Sequence, residues 1–138
     1  MSQAFFDTNV VLYLLSADQQ KASAAEALIA SGGVVSVQVL NEAASVCLRK
    51  LKLPWSEVHE LLEAVKACCD VLPLSLAVHE RALYLAERYQ LSFYDALICS
   101  AARGADVKTL YSEDMQDGLV IGSLTIENPF RQSGSAAK

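Results

Sequence analysis

The chain has 138 residues, a length that suits one domain with a buried core. Hydrophobic residues make up 53% of the sequence and charged residues 20%, which excludes a disordered chain. The formal net charge is −5, and this acidic balance argues against a protein that coats DNA or RNA without specificity. It leaves open an enzyme whose acids bind cations, because a bound metal ion reverses the local field.

Short apolar runs alternate with longer helical patterns along the chain. The predicted elements are a strand at 3–6, helices at 9–16 and 19–31, a strand at 34–37, a helix at 38–50, a helix with Ser56 as its N-cap, a strand at 71–74, helices at 75–89 and 92–104, and strands at 108–111 and 124–126. This alternation predicts an α/β fold of three layers, α/β/α, with a central parallel sheet of four to five strands. We expect a single domain over residues 1–130 and a flexible C-terminal tail over 131–138.

The chain shows no sign of export or membrane insertion. No apolar run reaches the roughly 18 residues of a membrane span, and the first residues lack the features of a signal peptide. The four cysteines match no zinc pattern, and all lie in apolar segments that read as helical. We therefore expect buried free thiols and a cytoplasmic protein.

Three acidic residues lie in apolar surroundings where an unpaired charge is costly. Asp7 directly follows the apolar end of the first predicted strand. Glu42 shares a helix face with Val39 and Val46, and Asp95 shares one with similarly apolar or small residues. Buried carboxylates need compensation, and no arginine or lysine stands near Asp7 or Asp95 in sequence.

A divalent cation would supply that compensation. Asp7 ends the first predicted strand, Glu42 and Asp95 lie near the starts of helices, and Asp114 follows a late strand. In a parallel sheet such positions converge on one edge, where active sites form. Hard ions such as Mg²⁺ or Mn²⁺ take oxygen ligands, so the sequence predicts a metal site suited to phosphodiester hydrolysis.

Four segments in this order and spacing resemble PIN-domain nucleases, and more narrowly the VapC-type toxins of bacterial toxin–antitoxin pairs. The segments are FFDTNVVLYLLS, VSVQVLNEAAS, LSFYDALICSAA and LYSEDMQDG, and the resemblance extends from about Phe5 to Phe130. It implies a Mg²⁺- or Mn²⁺-dependent endoribonuclease that leaves a 5′-phosphate and a 3′-hydroxyl. It also implies a homodimer, inhibited by a cognate antitoxin that covers the site.

The resemblance also assigns roles to individual residues. By position, Asp7, Glu42, Asp95 and Asp114 match the metal-binding acids of the family, and Asp117 falls where many members carry a further acid. The supporting polar residues, which orient the acids or the phosphate, are Thr8, Asn9 and Ser112. Glu113 ranks below Asp117 as a candidate.

Other interpretations stand beside these. Asp7 alone could cap the next helix, and Asp114 alone could belong to a solvated turn. Arg49, Lys50 and Lys52 form the one basic cluster in the sequence; we expect it to complement a helix C-terminus, with contact to RNA phosphate as a lesser alternative. Tyr13, Phe93 and Tyr94 are expected to pack, although an aromatic side chain near the site could stack a base.

Two other functions compete with RNA cleavage. One is phosphoryl transfer through an aspartyl-phosphate on Asp7, for which Asn9 stands where a second aspartate is expected and Lys108 is the late-strand lysine. The other is a catalytically silent fold of the same kind that serves as a protein-interaction scaffold.

Overall fold

The computed structural model describes residues 3–130, and the predicted flexible tail at 131–138 lies outside the described residues. Six strands form one sheet in the spatial order β3-β2-β1-β4-β6-β5. The strands are β1 (Ala4–Phe6), β2 (Gly33–Ser36), β3 (Cys69–Leu72), β4 (Thr109–Tyr111), β5 (Val120–Ile121) and β6 (Leu124–Glu127). All neighbouring pairs are parallel except β5 and β6, which are antiparallel.

Helices flank this sheet and confirm the predicted three-layer α/β/α class. They are α1 (Thr8–Leu12), which continues into a short 3-10 helix (Tyr13–Leu15), α2 (Gln19–Ala30), α3 (Val37–Arg49), α4 (Trp55–Cys68), α5 (Leu76–Tyr89) and α6 (Phe93–Gly104). Ser36, Ser75 and Ser92 each cap the helix that follows, by accepting a hydrogen bond from a backbone N–H in its first turn.

The core explains why the central strands carry large apolar residues. Phe5 and Phe6 of β1, Val35 of β2, Leu110 of β4 and Ile126 of β6 are all at most 1% exposed. Strands of a parallel sheet covered on both faces carry such continuous apolar runs. Because helices cover the sheet faces, ligands can approach only at its edges.

Four sequence predictions need correction. The sheet has six strands and not four to five, because the two-residue strand β5 has too little sequence to show a period. It is also the one antiparallel strand, formed by a hairpin that turns back at Gly122, where φ is +62°. The strand predicted at 71–74 lies at Cys69–Leu72, because Pro73 cannot donate to the ladder.

The other two corrections concern Ser56 and the cysteines. Helix α4 begins at Trp55 after Pro54, and no side chain caps it, so Ser56 is not its N-cap. Cys68 is exposed, whereas Cys47, Cys69 and Cys99 are buried, and all four are free thiols. Cys68 ends α4 and Cys69 begins β3, so the adjacent side chains point in different directions.

Candidate active site

One groove of about 420 Å³ receives all four acids that the sequence singled out. Asp7 directly follows β1, Glu42 lies in α3 after β2, and Asp114 follows β4. Because β2, β1 and β4 are neighbours and parallel, these three residues come from the same edge of the sheet. Asp95, in the first turn of α6, completes the set. The structure therefore brings together four carboxylates that are up to 107 residues apart in sequence.

Asp7 is the most buried of the four, with 4% of its surface exposed. Its Oδ1 accepts a hydrogen bond from the backbone N–H of Thr8 (2.7 Å), and its Oδ2 accepts from Ser112 Oγ (2.7 Å) and Asn9 Nδ2 (3.2 Å). Burial nevertheless raises the pKa of Asp7 from 3.8 to about 6, although these hydrogen bonds act in the opposite direction. The nearby negative charges of Asp95 and Glu42 raise this pKa further.

Ser112 joins the end of β1 to the loop that carries Asp114. Besides donating to Asp7, its Oγ accepts hydrogen bonds from the backbone N–H groups of Asp114 (3.2 Å) and Met115 (3.3 Å). Asn9 Nδ2 also donates to it (3.3 Å). Ser112 is fully buried, so its hydroxyl fixes the loop against Asp7 without contact with solvent.

Glu42 is oriented through both of its carboxylate oxygens. Thr8 Oγ1 donates to Oε1 (2.7 Å), and Gln38 Nε2 donates to Oε2 (2.9 Å). The sequence analysis missed Gln38, although its position four residues before Glu42 on the same helix places the two side chains together. A glutamine one helical turn before an inward-facing acid was the sequence signal that could have identified it.

Asp95, on α6, and Asp114, in the loop after β4, also line the groove. The backbone N–H of Asp95 donates to Ser92 Oγ (3.2 Å), so Ser92 caps α6 at this residue. Burial raises the pKa of Asp95, the Ser92 hydrogen bond partly offsets this, and the charges of Glu42 and Asp114 add to it. Asp114 is an exposed residue of the loop after β4.

Asp117 and Glu113 are held elsewhere by other contacts. The Oδ1 of Asp117 accepts a hydrogen bond from the backbone N–H of Asn128 (2.7 Å), and Asp117 does not line the groove. Its role in the site stays a prediction. Glu113 accepts a hydrogen bond from Tyr13 Oη and forms an ion pair with Lys21 (3.0 Å).

The charge of the groove favours a cation. Among residues 3–130 the ion pairs are Lys21–Glu113 and Glu63–Lys66, and neither involves a groove acid. No three Asp, Glu, His or Cys side chains within these residues are placed to hold a metal ion together. Magnesium often takes only one or two carboxylates directly and completes its shell with water. Four converging carboxylates, raised pKa values and an all-oxygen donor set fit such an ion.

The chain thus has an α/β/α fold with a mostly parallel sheet. An acidic groove lies at the carboxyl ends of the central strands. The PIN domain family model matches residues 4–116, and this chain belongs to that family. No curated protein sequence matches the chain significantly. No helix within residues 3–130 is both long enough and apolar enough to cross a membrane.

Several solved structures share this fold. A toxin–antitoxin complex from Klebsiella pneumoniae superposes with a TM-score of 0.71 at 21% identity, covering 94% of this chain and 99% of that chain. VapC20 of Mycobacterium tuberculosis, a toxin that cleaves the sarcin–ricin loop, gives 0.62 at 21% identity and covers 80% and 89%. VapBC2 of Rickettsia felis, bound to a promoter DNA fragment, gives 0.65 at 20% identity and covers 91% and 97%. The predicted resemblance to VapC-type toxins is confirmed at the level of the fold.

Proposed function

We propose that this chain is a Mg²⁺- or Mn²⁺-dependent endoribonuclease and the toxin of a toxin–antitoxin pair. The observation that carries the proposal is the meeting of Asp7, Glu42, Asp95 and Asp114 in one groove, where none of them forms an ion pair with another residue of 3–130. Membership of the PIN domain family supports it. So does the fold shared with a toxin that cleaves RNA.

One or two of the four acids would bind the ion directly and the others through water, and the polar residues around Asp7 and Glu42 would fix the positions of these two carboxylates. When bound, such an ion supplies Lewis-acid chemistry, namely a lower pKa for bound water and neutralisation of charge on the phosphate. Thr8, Asn9 and Ser112 hold Asp7, while Thr8 and Gln38 together hold Glu42. These carboxylates are therefore oriented before any ligand arrives, which reduces the cost of reorganisation. We expect products with a 5′-phosphate and a 3′-hydroxyl.

A cognate antitoxin and a second copy of the chain are the proposed protein partners, in the cytoplasm. One of the structures that share the fold is described as a toxin–antitoxin complex, which supports an antitoxin. Helix α5 exposes Leu76 (71%), Leu83 (53%) and Tyr84 (62%), a set of large apolar side chains that a homodimer contact would cover.

The aspartyl-phosphate alternative loses support in the structure. Strands β1 and β4 are parallel, with Ala4 opposite Thr109 and Phe6 opposite Tyr111. Lys108 therefore lies at the start of β4, whereas Asp7 lies after the end of β1. The lysine is at the opposite edge of the sheet from the acid that it would have to assist.

One experiment distinguishes the proposed nuclease from a catalytically silent protein-interaction scaffold. The purified chain is incubated with a mixed pool of structured RNA in Mg²⁺, Mn²⁺ or EDTA, beside Asp7→Asn and Asp70→Asn. Asp70 is an exposed aspartate of β3 outside the groove and serves as the matched control. We expect metal-dependent cleavage in the wild type and Asp70→Asn, and none in Asp7→Asn. Cleavage that survives Asp7→Asn, or its absence in the wild type with every RNA, would refute the proposal.

A further inference from the structure

Two residues that line the acidic groove have no role in the proposed metal site. Lys50, at the C-terminal end of α3, and Tyr94, in the first turn of α6, both line the groove together with the four acids. Tyr94 is 63% exposed, although the sequence analysis expected it to pack. An aromatic ring and a cation therefore flank the acids in a cleft that opens to solvent.

Lys50 is available to bind an anion. Neither of the two ion pairs within residues 3–130 involves Lys50 or its neighbour Arg49, and both side chains are exposed. A second pocket, lined by Ser45, Val46, Arg49 and Lys50, shares three of these residues with the acidic groove. The groove thus continues along α3 from the acids towards positive charge, in a chain whose net charge is −5.

The spacing along α3 separates the lysine from the cleavage centre. Lys50 is eight residues after Glu42, or about 12 Å along a helix axis. A phosphate held by Lys50 is therefore not the one that lies at the acids, but one further along the same strand. This is a contact that positions the substrate and does not take part in bond cleavage.

Tyr94 favours a base that is free to stack. Its ring lies beside Asp95 and contacts Phe93 only at a tilt, with centroids 6.2 Å apart and planes at 57°. In a duplex both faces of each base are already occupied, whereas an unpaired base can leave its neighbours and stack on an aromatic side chain. An exposed tyrosine on the wall of a nuclease groove therefore selects single-stranded segments.

We propose that Tyr94 and Lys50 form a substrate-positioning subsite for single-stranded RNA, with Tyr94 stacking a base beside the cleaved bond and Lys50 binding a flanking phosphate. The proposal rests on the nuclease function proposed above and adds two residues that position the strand and the direction of its path. The strand passes from the acids along α3 towards Arg49.

Binding to a short fluorescein-labelled RNA tests this subsite. The labelled strand is used alone or annealed to its complement, and fluorescence anisotropy is measured in Ca²⁺, a hard ion that takes the same oxygen ligands. A gel at the end of each titration shows that the RNA is intact. The variants are Tyr94→Ala, Tyr94→Phe and Lys50→Ala. The matched controls are Trp55→Ala, an equally exposed aromatic residue of α4, and Lys108→Ala, an exposed lysine at the other edge of the sheet.

The aromatic ring and the charge give different signatures. We expect Tyr94→Ala to weaken binding of the single strand by about tenfold or more, and Tyr94→Phe and Trp55→Ala to leave it unchanged. Lys50→Ala should reduce the slope of log K against log[salt] by about 0.7, the value for one phosphate contact on a single strand, whereas Lys108→Ala should not. The duplex should bind more weakly than the single strand, and Tyr94→Ala should change the affinity for the duplex little.

Failure of the subsite and failure of the nuclease function give different results. If wild type and Tyr94→Ala bind and cleave the single strand equally, or Lys50→Ala matches Lys108→Ala, the subsite is refuted and the nuclease stands. If the duplex binds as tightly as the single strand, the preference for unpaired bases is refuted. If the wild type neither binds nor cleaves any RNA, the subsite and the proposed function are refuted together.

Discussion

Asn9 forms hydrogen bonds with two acidic residues, Asp7 and Glu113, whose carboxylates have opposite electrostatic environments. Asn9 donates through Nδ2 to Asp7 and accepts through Oδ1 from the backbone N–H of Glu113 (3.1 Å). The Glu113 carboxylate is satisfied by Tyr13 and Lys21, and the hydrogen bond from Tyr13 is the main cause that lowers its pKa. Burial and neighbouring carboxylates instead raise the pKa of Asp7.

The comparison separates acids that hold the fold together from acids that await a ligand. Glu113 has both a hydroxyl donor and an ammonium partner, and this cluster fixes the loop after β4 to the 3-10 helix and to α2. Hydrogen bonds orient the Asp7 and Glu42 carboxylates, and none of the four groove acids forms an ion pair with another residue of 3–130. A site that keeps carboxylates together without a cation stores electrostatic repulsion, and perturbed pKa values of this kind mark functional positions.

Removing the charge of Asp7 should give the largest effect. Asp7→Asn keeps the size of the side chain but removes one of the charges that would hold the ion. We expect RNA cleavage to fall by more than about 100-fold, the loss that follows from changing even an outer partner of a metal ligand. Single-turnover cleavage assays at saturating Mn²⁺ measure this. If Asp7→Asn lost less cleavage activity than Glu113→Gln, the assignment of Asp7, and not Glu113, as the ligand-binding acid would be wrong.

Ser112→Ala should come next. The change removes the donor to Asp7 Oδ2 and the acceptor for the N–H groups of Asp114 and Met115. We expect about 10- to 100-fold loss of activity or of metal affinity, since Ser112 orients two acids without contacting substrate. Titration of Mn²⁺, followed by cleavage rate, separates the two effects. Activity at the wild-type level would show that Ser112 only supports the fold.

The pKa of Asp7 predicts an unusual pH dependence of stability without metal. Because this carboxyl has a higher pKa when folded (about 6) than when unfolded (3.8), its contribution is fully present below pH 4 and is lost as pH rises through 6. The loss is on the order of 3 kcal/mol of unfolding free energy. Thermal or urea unfolding in EDTA, between pH 4 and 7, measures it.

Binding of a divalent metal ion should offset the unfolding free energy that is lost as pH rises. A divalent ion binds the ionised carboxylates, so Mn²⁺ should raise the unfolding temperature above pH 6 and have little effect below pH 4. Asp7→Asn should flatten both the pH dependence and the response to Mn²⁺. A wild-type unfolding temperature that does not respond to Mn²⁺ at pH 7 would contradict a metal site in this groove.

Glu113→Gln should have the smallest effect. The change removes the charge that pairs with Lys21 but leaves the backbone N–H of residue 113 to donate to Asn9. Ion pairs at the surface contribute little, so we expect cleavage close to wild type and a small decrease in unfolding temperature. A loss of activity comparable with that of Ser112→Ala would place the Tyr13–Lys21–Glu113 cluster within the catalytic machinery.

The sequence alone predicted the fold class and the four acids of the groove, because these features leave local signals. Apolar strands alternate with amphipathic helices, and each of the four acids stands at a strand end or near a helix start. Glu42 and Asp95 were also conspicuous for their apolar helix faces. The hidden strand β5, at Val120–Ile121, was missed because two residues carry no measurable period.

Only the tertiary structure decided which polar groups form hydrogen bonds with the acids and which other residues line the groove. The hydrogen bonds from Ser112 to Asp7 and from Thr8 to Glu42 join residues 105 and 34 positions apart. Tyr94 could equally have been a packing residue, and Lys50 could have been a solvated helix end. Their common place in the groove depends on how α3 and α6 pack, which is set by the whole core and leaves no trace in local sequence.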